Sequence, residues 1–272
     1  MRTIGPRLRQ HDVGRRNLAA AFPEKSQDDI EEILAGVWTN LGQVAAEFAH
    51  LEGWARIDPE KSSIVTYDEA SARRFRELRD DKMGALLFSA HIGNWELPAM
   101  VARAAGLQTT VLYRPPSVRS VAYAIRNIRS RSMGEMMPAG LHGTFALARA
   151  LREGKHVGML VDQHDDRGVV VNFFGRPCMA NPLIALLARE YDAPIHGVCA
   201  KRLPSGRFKI ELTPRLMPVK DASGQVDIPA TTQRITDQIE AWIREAPEQW
   251  LWVHRRWKDR TALAPVRTRP VP

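Results

Sequence analysis

Hydrophobic residues along this chain follow two different periods. Short apolar or β-branched runs of strand length alternate with longer segments in which apolar residues recur every three or four positions, as on one face of a helix. The predicted strands are residues 85–90, 108–113, 156–161, 194–200 and 207–212. The predicted helices are residues 15–23, 26–48, 69–79, 118–133, 144–152, 182–190 and 231–244. This alternation indicates an α/β fold in which helices flank a central, mostly parallel mixed sheet.

The segment ALLFSAHIGNWELPAM, residues 85–100, joins one of these strands to an apolar helical segment. His91 follows the strand directly, and Glu96 comes five positions later. On one continuous helix these side chains would lie about 140° apart, so a strand–turn–helix break is needed to bring them together. Gly93 permits a sharp turn, and Asn94 can cap the helix. We therefore expect the Glu96 carboxylate to bind one ring nitrogen of His91 and to leave the other nitrogen free as a base.

Composition and charge narrow the class of protein. The chain has 272 residues, 44% of them hydrophobic, which is enough for a sizeable core. Its net charge of +8 favours an anionic partner: a phospholipid surface, an acidic carrier protein or nucleic acid. Nucleic acid is not expected, because no nucleic-acid-binding motif accompanies the charge. Two cysteines, Cys178 and Cys199, are too few for a disulfide framework, so reduced thiols are expected.

Neither a membrane-spanning helix nor a signal peptide is expected. No apolar stretch reaches about 18 residues. The N-terminal residues are rich in arginine and lack the apolar region of a signal peptide. The chain is therefore expected to stay in the cytosol.

The run Asp-Gln-His-Asp-Asp that begins at Asp162 offers several metal-ligating side chains. With His91, the side chains of Asp162, His164 and Asp165 could hold the ion of a metal-dependent hydrolase. The run has neither the helical spacing of HExxH nor the alternating acids of a calcium loop. A metal site is thus an alternative that the sequence does not favour.

Four sequence blocks identify a resemblance to a known enzyme family: HIGNWE, VLYRPP, VDQHDDRGVVVNFFGRP and PEQWLWVHRRWK. In this order they resemble the late acyltransferases of lipid A biosynthesis, the lauroyl and myristoyl transferases of the glycerolipid and lysophospholipid acyltransferase superfamily. The His-x4-Asp/Glu motif of that superfamily is matched by His91 and Glu96. The resemblance runs from about residue 17 to residue 258 and implies a glycerolipid-acyltransferase-like fold.

The chain differs from the family pattern in two respects. Family members usually begin with a hydrophobic anchor ahead of the RRNLAAAFPEKS-like block, and these 272 residues contain none. Either the protein contacts the membrane peripherally or the sequence begins inside a longer gene product. In addition, the family usually reads Asp-Gln-Asp where this chain has His164 after Asp162 and Gln163, so either His164 replaces the second acid or Asp165 takes its place after a shift.

The resemblance implies transfer of a fatty acyl chain from an acyl thioester, expected to be acyl-acyl carrier protein, to a hydroxyl of a lipid A precursor. His91 would be the general base, Glu96 would orient it, and no metal or cofactor is implied. The enzyme would act peripherally at the cytoplasmic face of the inner membrane. Three alternatives stay open: the same chemistry on another glycolipid or phospholipid, the metal-dependent hydrolase, and a basic membrane-binding protein without activity.

Arginines are the expected groups for binding the phosphates of such an acceptor. Arg114 follows the strand at 108–113, on the edge where open α/β sheets bind their ligands. The family has a functional arginine beyond the motif, and Arg129 and Arg131 are both candidates for it. Asp162 is expected to pair with one of these arginines and hold it in position.

The C-terminal segment alternates tryptophan with cationic residues, at Trp250, Trp252 and Trp257. An edge strand that packs its tryptophans inward and an interfacial anchor for phospholipid are both open interpretations. Residues 1–260 are expected to form one acyltransferase domain, of which 1–24 is a basic N-terminal segment. Residues 261–272 are expected to be a disordered, proline-rich tail.

Overall fold

A computed structural model describes residues 1–54, 64–116 and 118–258. The helices are α1 (Arg9–Ala21), α2 (Gln27–Phe48), α3 (Leu51–Trp54), α4 (Glu69–Asp80), α5 (Leu97–Ala104), α6 (Arg119–Ser132), α7 (Leu141–Arg152), α8 (Leu183–Tyr191) and α9 (Ile228–Glu245). The strands are β1 (Val65–Thr66), β2 (Leu86–Ser89), β3 (Thr109–Tyr113), β4 (Glu135–Pro138), β5 (His156–Leu160), β6 (His164–Phe173), β7 (Arg176–Ala180), β8 (Ile195–Arg202) and β9 (Phe208–Leu212). Short 3₁₀ helices cover Gly5–Arg7 and Pro247–Gln249.

Seven of these strands form one sheet in the order β1-β9-β8-β2-β5-β3-β4. Neighbouring strands are parallel throughout this sheet except β8 and β9, which form an antiparallel pair. Strands β6 and β7 form a separate antiparallel hairpin. The α/β prediction, with a mostly parallel mixed sheet between helices, is confirmed.

The two faces of the sheet bury different side chains because residues alternate along each strand. Leu86 and Phe88 of β2 lie in one hydrophobic cluster with residues of α7, α8 and α9. Leu87 lies in a second cluster with residues of α4 and α5. The strands β2 and β5 are covered on both faces, which explains their nearly continuous apolar sequences.

Local signals in the sequence place several helix ends. Helix α2 begins at the predicted cap, where the Ser26 hydroxyl accepts a hydrogen bond from the Asp29 N–H and the Asp29 carboxylate accepts one from the Ser26 N–H. Helix α1 begins earlier than predicted, at Arg9. Helix α4 was expected to be exposed but buries Phe75 and Leu78, so it is amphipathic.

Four of the described strands were not predicted from the sequence: β1, β4, β6 and β7. Strands β1 and β4 are only two and four residues long, and β4 is exposed at both ends. The first part of β6, HDDRG, is polar and largely exposed, so it lacks the apolar alternation of a strand. Short or exposed strands are placed by pairing with neighbours rather than by their own pattern.

Two tryptophans of the C-terminal segment pack inward, as one of the two interpretations had it, but they do so without forming an edge strand. Trp250 makes an isolated bridge to Ile92, and residues 251–258 lie in turns, bends and irregular backbone. Trp250 and Trp252 are 1% and 0% exposed, so they pack inward and are not available to a membrane. The predicted tail at 261–272 lies outside the described residues. Within the part of the chain that is described, no helix is long and apolar enough to cross a membrane.

Candidate active site

The turn after β2 carries His91 and is tightly enclosed. Gly93 has a φ of +57°, and a Cβ on it would lie 1.9 Å from the carbonyl oxygen of Ala200 in β8. Its N–H donates to the Gln249 carbonyl, and its own carbonyl accepts from the Asn40 amide. Only glycine fits this backbone without strain, as the sequence suggested. The turn is therefore held by β8, α2 and the C-terminal segment at once.

His91 is held by Asp162, which lies just beyond the end of the neighbouring strand β5. The ring nitrogen Nδ1 is 2.8 Å from Asp162 Oδ1. The backbone N–H of His91 donates to Asp162 Oδ2 over 2.9 Å, and Trp250 Nε1 donates to the same oxygen over 2.7 Å. Asp162 is thus fixed by three hydrogen bonds in the interior, with only 1% of its side chain exposed.

This environment keeps Asp162 ionised. Burial alone would raise the pKa of its carboxyl, but His91 and Trp250 together lower the pKa well below its ordinary value. An ionised carboxylate can only accept hydrogen bonds, so Nδ1 of His91 carries the proton. The other nitrogen, Nε2, is left unprotonated when the ring is neutral and lies at the cavity described below, 3.5 Å from the Gln163 amide nitrogen. The arrangement holds the ring in the tautomer that a general base requires.

Glu96 does not bind His91, and that prediction is wrong. Its carboxylate instead receives two hydrogen bonds from Arg129 of α6, from Nε over 2.8 Å and from Nη2 over 2.5 Å. Glu96 is the residue before α5, where its N–H donates to the Asn94 side chain. From there its carboxylate meets α6, whereas Nδ1 of His91 is already bound to Asp162. The expectation that Asp162 pairs with an arginine is also wrong, because its carboxylate binds His91 and Trp250.

The structure separates the three candidate arginines. Arg129 lines the cavity, and 19% of its side chain is exposed. Arg131 is 68% exposed and pairs with Glu52 away from the cavity. Arg114 lies in the cavity rim, is exposed, and makes no ion pair within the described residues. Arg114 and Arg129 are therefore at the site, and Arg131 is not.

A cavity of about 450 Å³ opens beside His91 and has two parts. The polar part contains His91, Glu96, Arg129 and the rim residue Arg114. The apolar part extends between the sheet, helix α5 and the C-terminal end of α6, and its lining includes Leu87, Ala99, Ala102, Val111, Met133, Met136 and Gly158. Ser89 also lines the cavity, and its buried Oγ has no hydrogen-bond partner in the described part of the chain. The polar side chains around His91 thus border an apolar recess.

The residues of the metal-hydrolase alternative are not gathered around one point. His164 Nε2 is 3.0 Å from Asp166 Oδ1, and Asp165 accepts a hydrogen bond from Asn181. Within the ranges 1–54, 64–116 and 118–258, no group of three or more histidine, cysteine, aspartate or glutamate side chains is placed to hold a metal ion.

Sequence reasoning missed two residues beneath the site. Trp250 fixes Asp162 through its indole N–H. The ring of His254 lies 6.3 Å from that of Trp250, and neither of its nitrogens has a hydrogen-bond partner among the described residues. Burial lowers the pKa of His254 to about 4, so the ring is neutral at neutral pH. The only available signal was the block PEQWLWVHRRWK itself. Burial also raises the pKa of the Cys178 and Cys199 thiols, in keeping with inert, reduced cysteines.

Comparison with known proteins gives the family. Residues 2–259 match the family model described as bacterial lipid A biosynthesis acyltransferase. The chain belongs to this family. The resemblance noted in the four sequence blocks is thereby confirmed, and the chain is an acyltransferase.

Curated relatives of the lipid A acyltransferase family match nearly the whole chain at low identity. The lipid A biosynthesis lauroyltransferase of Escherichia coli (strain K12) is 27% identical over 95% of this chain and 82% of its own length. The palmitoleoyltransferase of the same organism is 24% identical over 93% of the chain and 80% of its own length. The myristoyltransferase is 23% identical over 90% and 74%. The names of these relatives differ in the acyl group that is transferred.

Proposed function

We propose that this acyltransferase moves a fatty acyl chain from acyl-acyl carrier protein to a hydroxyl of a lipid A precursor. The observation that carries the proposal is the state of His91. Its Nδ1 is held by ionised Asp162, and its Nε2 borders a cavity that has a cationic rim and an apolar interior. The names of the relatives supply the acceptor class, and the basic charge of the chain favours an acidic carrier protein as the donor.

In the proposed reaction, His91 Nε2 removes the proton from the acceptor hydroxyl as its oxygen attacks the thioester carbonyl. The resulting imidazolium is stabilised by the Asp162 carboxylate, which stays ionised throughout. When the tetrahedral intermediate collapses, the carbon–sulfur bond breaks and the imidazolium returns its proton to the leaving thiolate. The products are an ester and a free thiol, and no covalent acyl-enzyme is formed.

Arg129 and Arg114 are proposed to bind phosphate of the acceptor. Glu96 holds Arg129 through Nε and Nη2, which fixes the guanidinium plane at the cavity wall. The third nitrogen, Nη1, has no hydrogen-bond partner among the residues described and can donate to an anionic oxygen. Glu96 is therefore a positioning residue, which acts through Arg129 rather than on the imidazole.

The apolar part of the cavity is proposed to hold the acyl chain of the donor. Its walls come from the sheet on one side and from α5 and Met133, just after α6, on the other. A chain bound there would exclude water from the thioester and so favour transfer over hydrolysis.

Contact with the anionic surface of the inner membrane is proposed to occur around the cavity rim. Leu141 and Phe145, one turn apart at the start of α7, are exposed, as is Tyr123 on α6. Arg119 and Arg126 of α6 form no ion pair within the described part of the chain. Tyr123 lies about one turn from each of these arginines on α6, and an exposed aromatic side chain beside unpaired cations suits an interface with anionic lipid.

Mass spectrometry of lipid A tests the proposal. A Gram-negative host that lacks its own late acyltransferase would express the native chain, His91→Ala or His142→Ala; His142 is an exposed histidine on α7, outside the cavity. The native chain and His142→Ala should add one acyl chain to lipid A, and His91→Ala should add none at equal abundance. If the native chain leaves lipid A unchanged, the proposal that a lipid A precursor is the acceptor is wrong. Profiling of the total lipids would then show whether a glycolipid or phospholipid is acylated instead.

A further inference from the structure

The apolar part of the cavity has a glycine in its wall. Gly158 is the middle residue of β5, where it is paired with Leu87 of β2 on one side and Val111 of β3 on the other. All three residues line the cavity. A Cβ on Gly158 would meet only Val111 Cγ2, at 3.7 Å, which is an ordinary van der Waals distance.

Neither backbone geometry nor packing requires glycine at this position. Gly158 has no positive φ, and glycine in a strand interior weakens the strand. Gly197, in the neighbouring strand β8, is different, because a Cβ there would lie 2.7 Å from the Trp242 ring. The missing side chain of Gly197 makes room for the core, whereas that of Gly158 leaves open space in the cavity.

We propose that Gly158 sets how far the acyl chain enters the protein and is therefore a determinant of acyl-chain length. This inference rests on the proposed function, in which the apolar recess holds the donor chain. Gly158 touches only the distal part of that chain and takes no part in the chemical step.

The register of the strands gives the depth of this position. Ser89 and Leu160, which are paired across β2 and β5, form the layer of the cavity nearest to His91. Leu87 and Gly158 form the next layer, two residues further along the strands and about 6.6 Å deeper. Met136 of β4 is paired with Val111 and borders the same layer. The chain must pass the first layer before it meets Gly158.

Side chains of increasing size at position 158 should therefore shorten the preferred acyl chain. In the series Gly158→Ala, Gly158→Val and Gly158→Met, each methylene that no longer fits should lower kcat/KM for the longer donor by about four-fold or more. Short donors should keep near-native values. Met136→Ala should have the opposite effect and improve the use of longer donors, because it enlarges the same layer.

The purified native chain and each variant are given a mixture of acyl carrier protein thioesters whose saturated acyl chains have even carbon numbers. These donors compete for the enzyme, and a lipid A precursor is the acceptor. Product masses give kcat/KM ratios between chain lengths. Val157→Ile is the matched control, because Val157 is adjacent in β5 but lies in the hydrophobic cluster on the opposite face. It should leave the chain-length ratios unchanged, whatever it does to the melting temperature.

The outcomes separate the inference from the proposed function. If the native chain transfers acyl groups and the ratios in Gly158→Ala, Gly158→Val and Met136→Ala stay within two-fold of native, the inference is wrong and the function stands. If the native chain is inactive with every donor, the proposed function itself fails. Should Gly158→Met not fold, Gly158→Ala and Met136→Ala still decide, since one adds only a Cβ with ordinary contacts and the other only removes atoms.

Discussion

Replacement of Asp162 by asparagine should disable His91 while keeping the shape of the site. The native carboxylate accepts from Trp250 Nε1 and the His91 backbone N–H through Oδ2, and from His91 Nδ1 through Oδ1. Asparagine has one accepting oxygen and one NH₂ group. Its oxygen will keep the two bonds that Oδ2 receives, so its NH₂ will face Nδ1. Nδ1 must then accept, the ring proton moves to Nε2, and the lone pair that should remove the substrate proton is lost.

The magnitude follows from the same arrangement in hydrolases. There, the aspartate-to-asparagine change behind a catalytic histidine lowers kcat about 10⁴-fold, which corresponds to about 5 kcal/mol of transition-state stabilisation. The buried position of Asp162, 1% exposed, leaves little room for water to replace the lost acceptor. We expect Asp162→Asn to lower kcat by roughly 10³- to 10⁴-fold with little change in KM, because no substrate contact is removed.

Steady-state kinetics with acyl carrier protein thioesters would measure kcat and KM, and ¹⁵N NMR of the imidazole would report the tautomer. Glu96→Gln is the control, since Glu96 binds Arg129 and should leave the tautomer of His91 unchanged. This role of Asp162 is refuted if the folded Asp162→Asn variant keeps more than about a tenth of native kcat, or if Nε2 of its neutral His91 ring stays unprotonated.

Three further predictions concern other parts of the site. Arg129→Lys keeps the charge but loses the bidentate hydrogen bonds to Glu96, so KM for the phosphorylated acceptor should rise about ten-fold or more. The pH dependence of kcat should stay the same. An unchanged KM would contradict a phosphate-binding role. The pKa of His254 is about 4 in the folded chain against 6.5 ordinarily, so the unfolded chain takes up the proton first and about 3 kcal/mol of stability should be lost as pH falls from 6.5 to 4. Urea unfolding should show this pH-dependent loss in the native chain and not in His254→Gln. Above about pH 7.5 the difference in unfolding free energy between the two chains should therefore stay constant. An equal loss in both chains between pH 6.5 and pH 4 would contradict the prediction. Gly93→Ala should lower unfolding free energy by at least about 2 kcal/mol, because its Cβ would clash with a backbone carbonyl at a positive φ; a smaller loss by calorimetry would show that the turn can relax.

The sequence could predict which elements form but only some of their contacts. Apolar periodicity located the central strands, the Ser26 signal located the start of α2, and the glycine after His91 indicated the turn. These features depend on residues close together in the chain. Strand β4 and the polar start of β6 have no such local signal, because their positions come from pairing with other strands.

The sequence by itself determined the fold class, the position of His91 at a strand end and, through four blocks in order, the family. Only the tertiary structure decided which carboxylate binds the His91 ring. Asp162 is 71 residues away and reaches His91 because β2 and β5 are adjacent and parallel, so both side chains emerge at the same edge of the sheet. Glu96, five residues away, is directed by the start of α5 toward Arg129 instead. Strand order is a property of the whole packed chain, and sequence spacing carries no information about it.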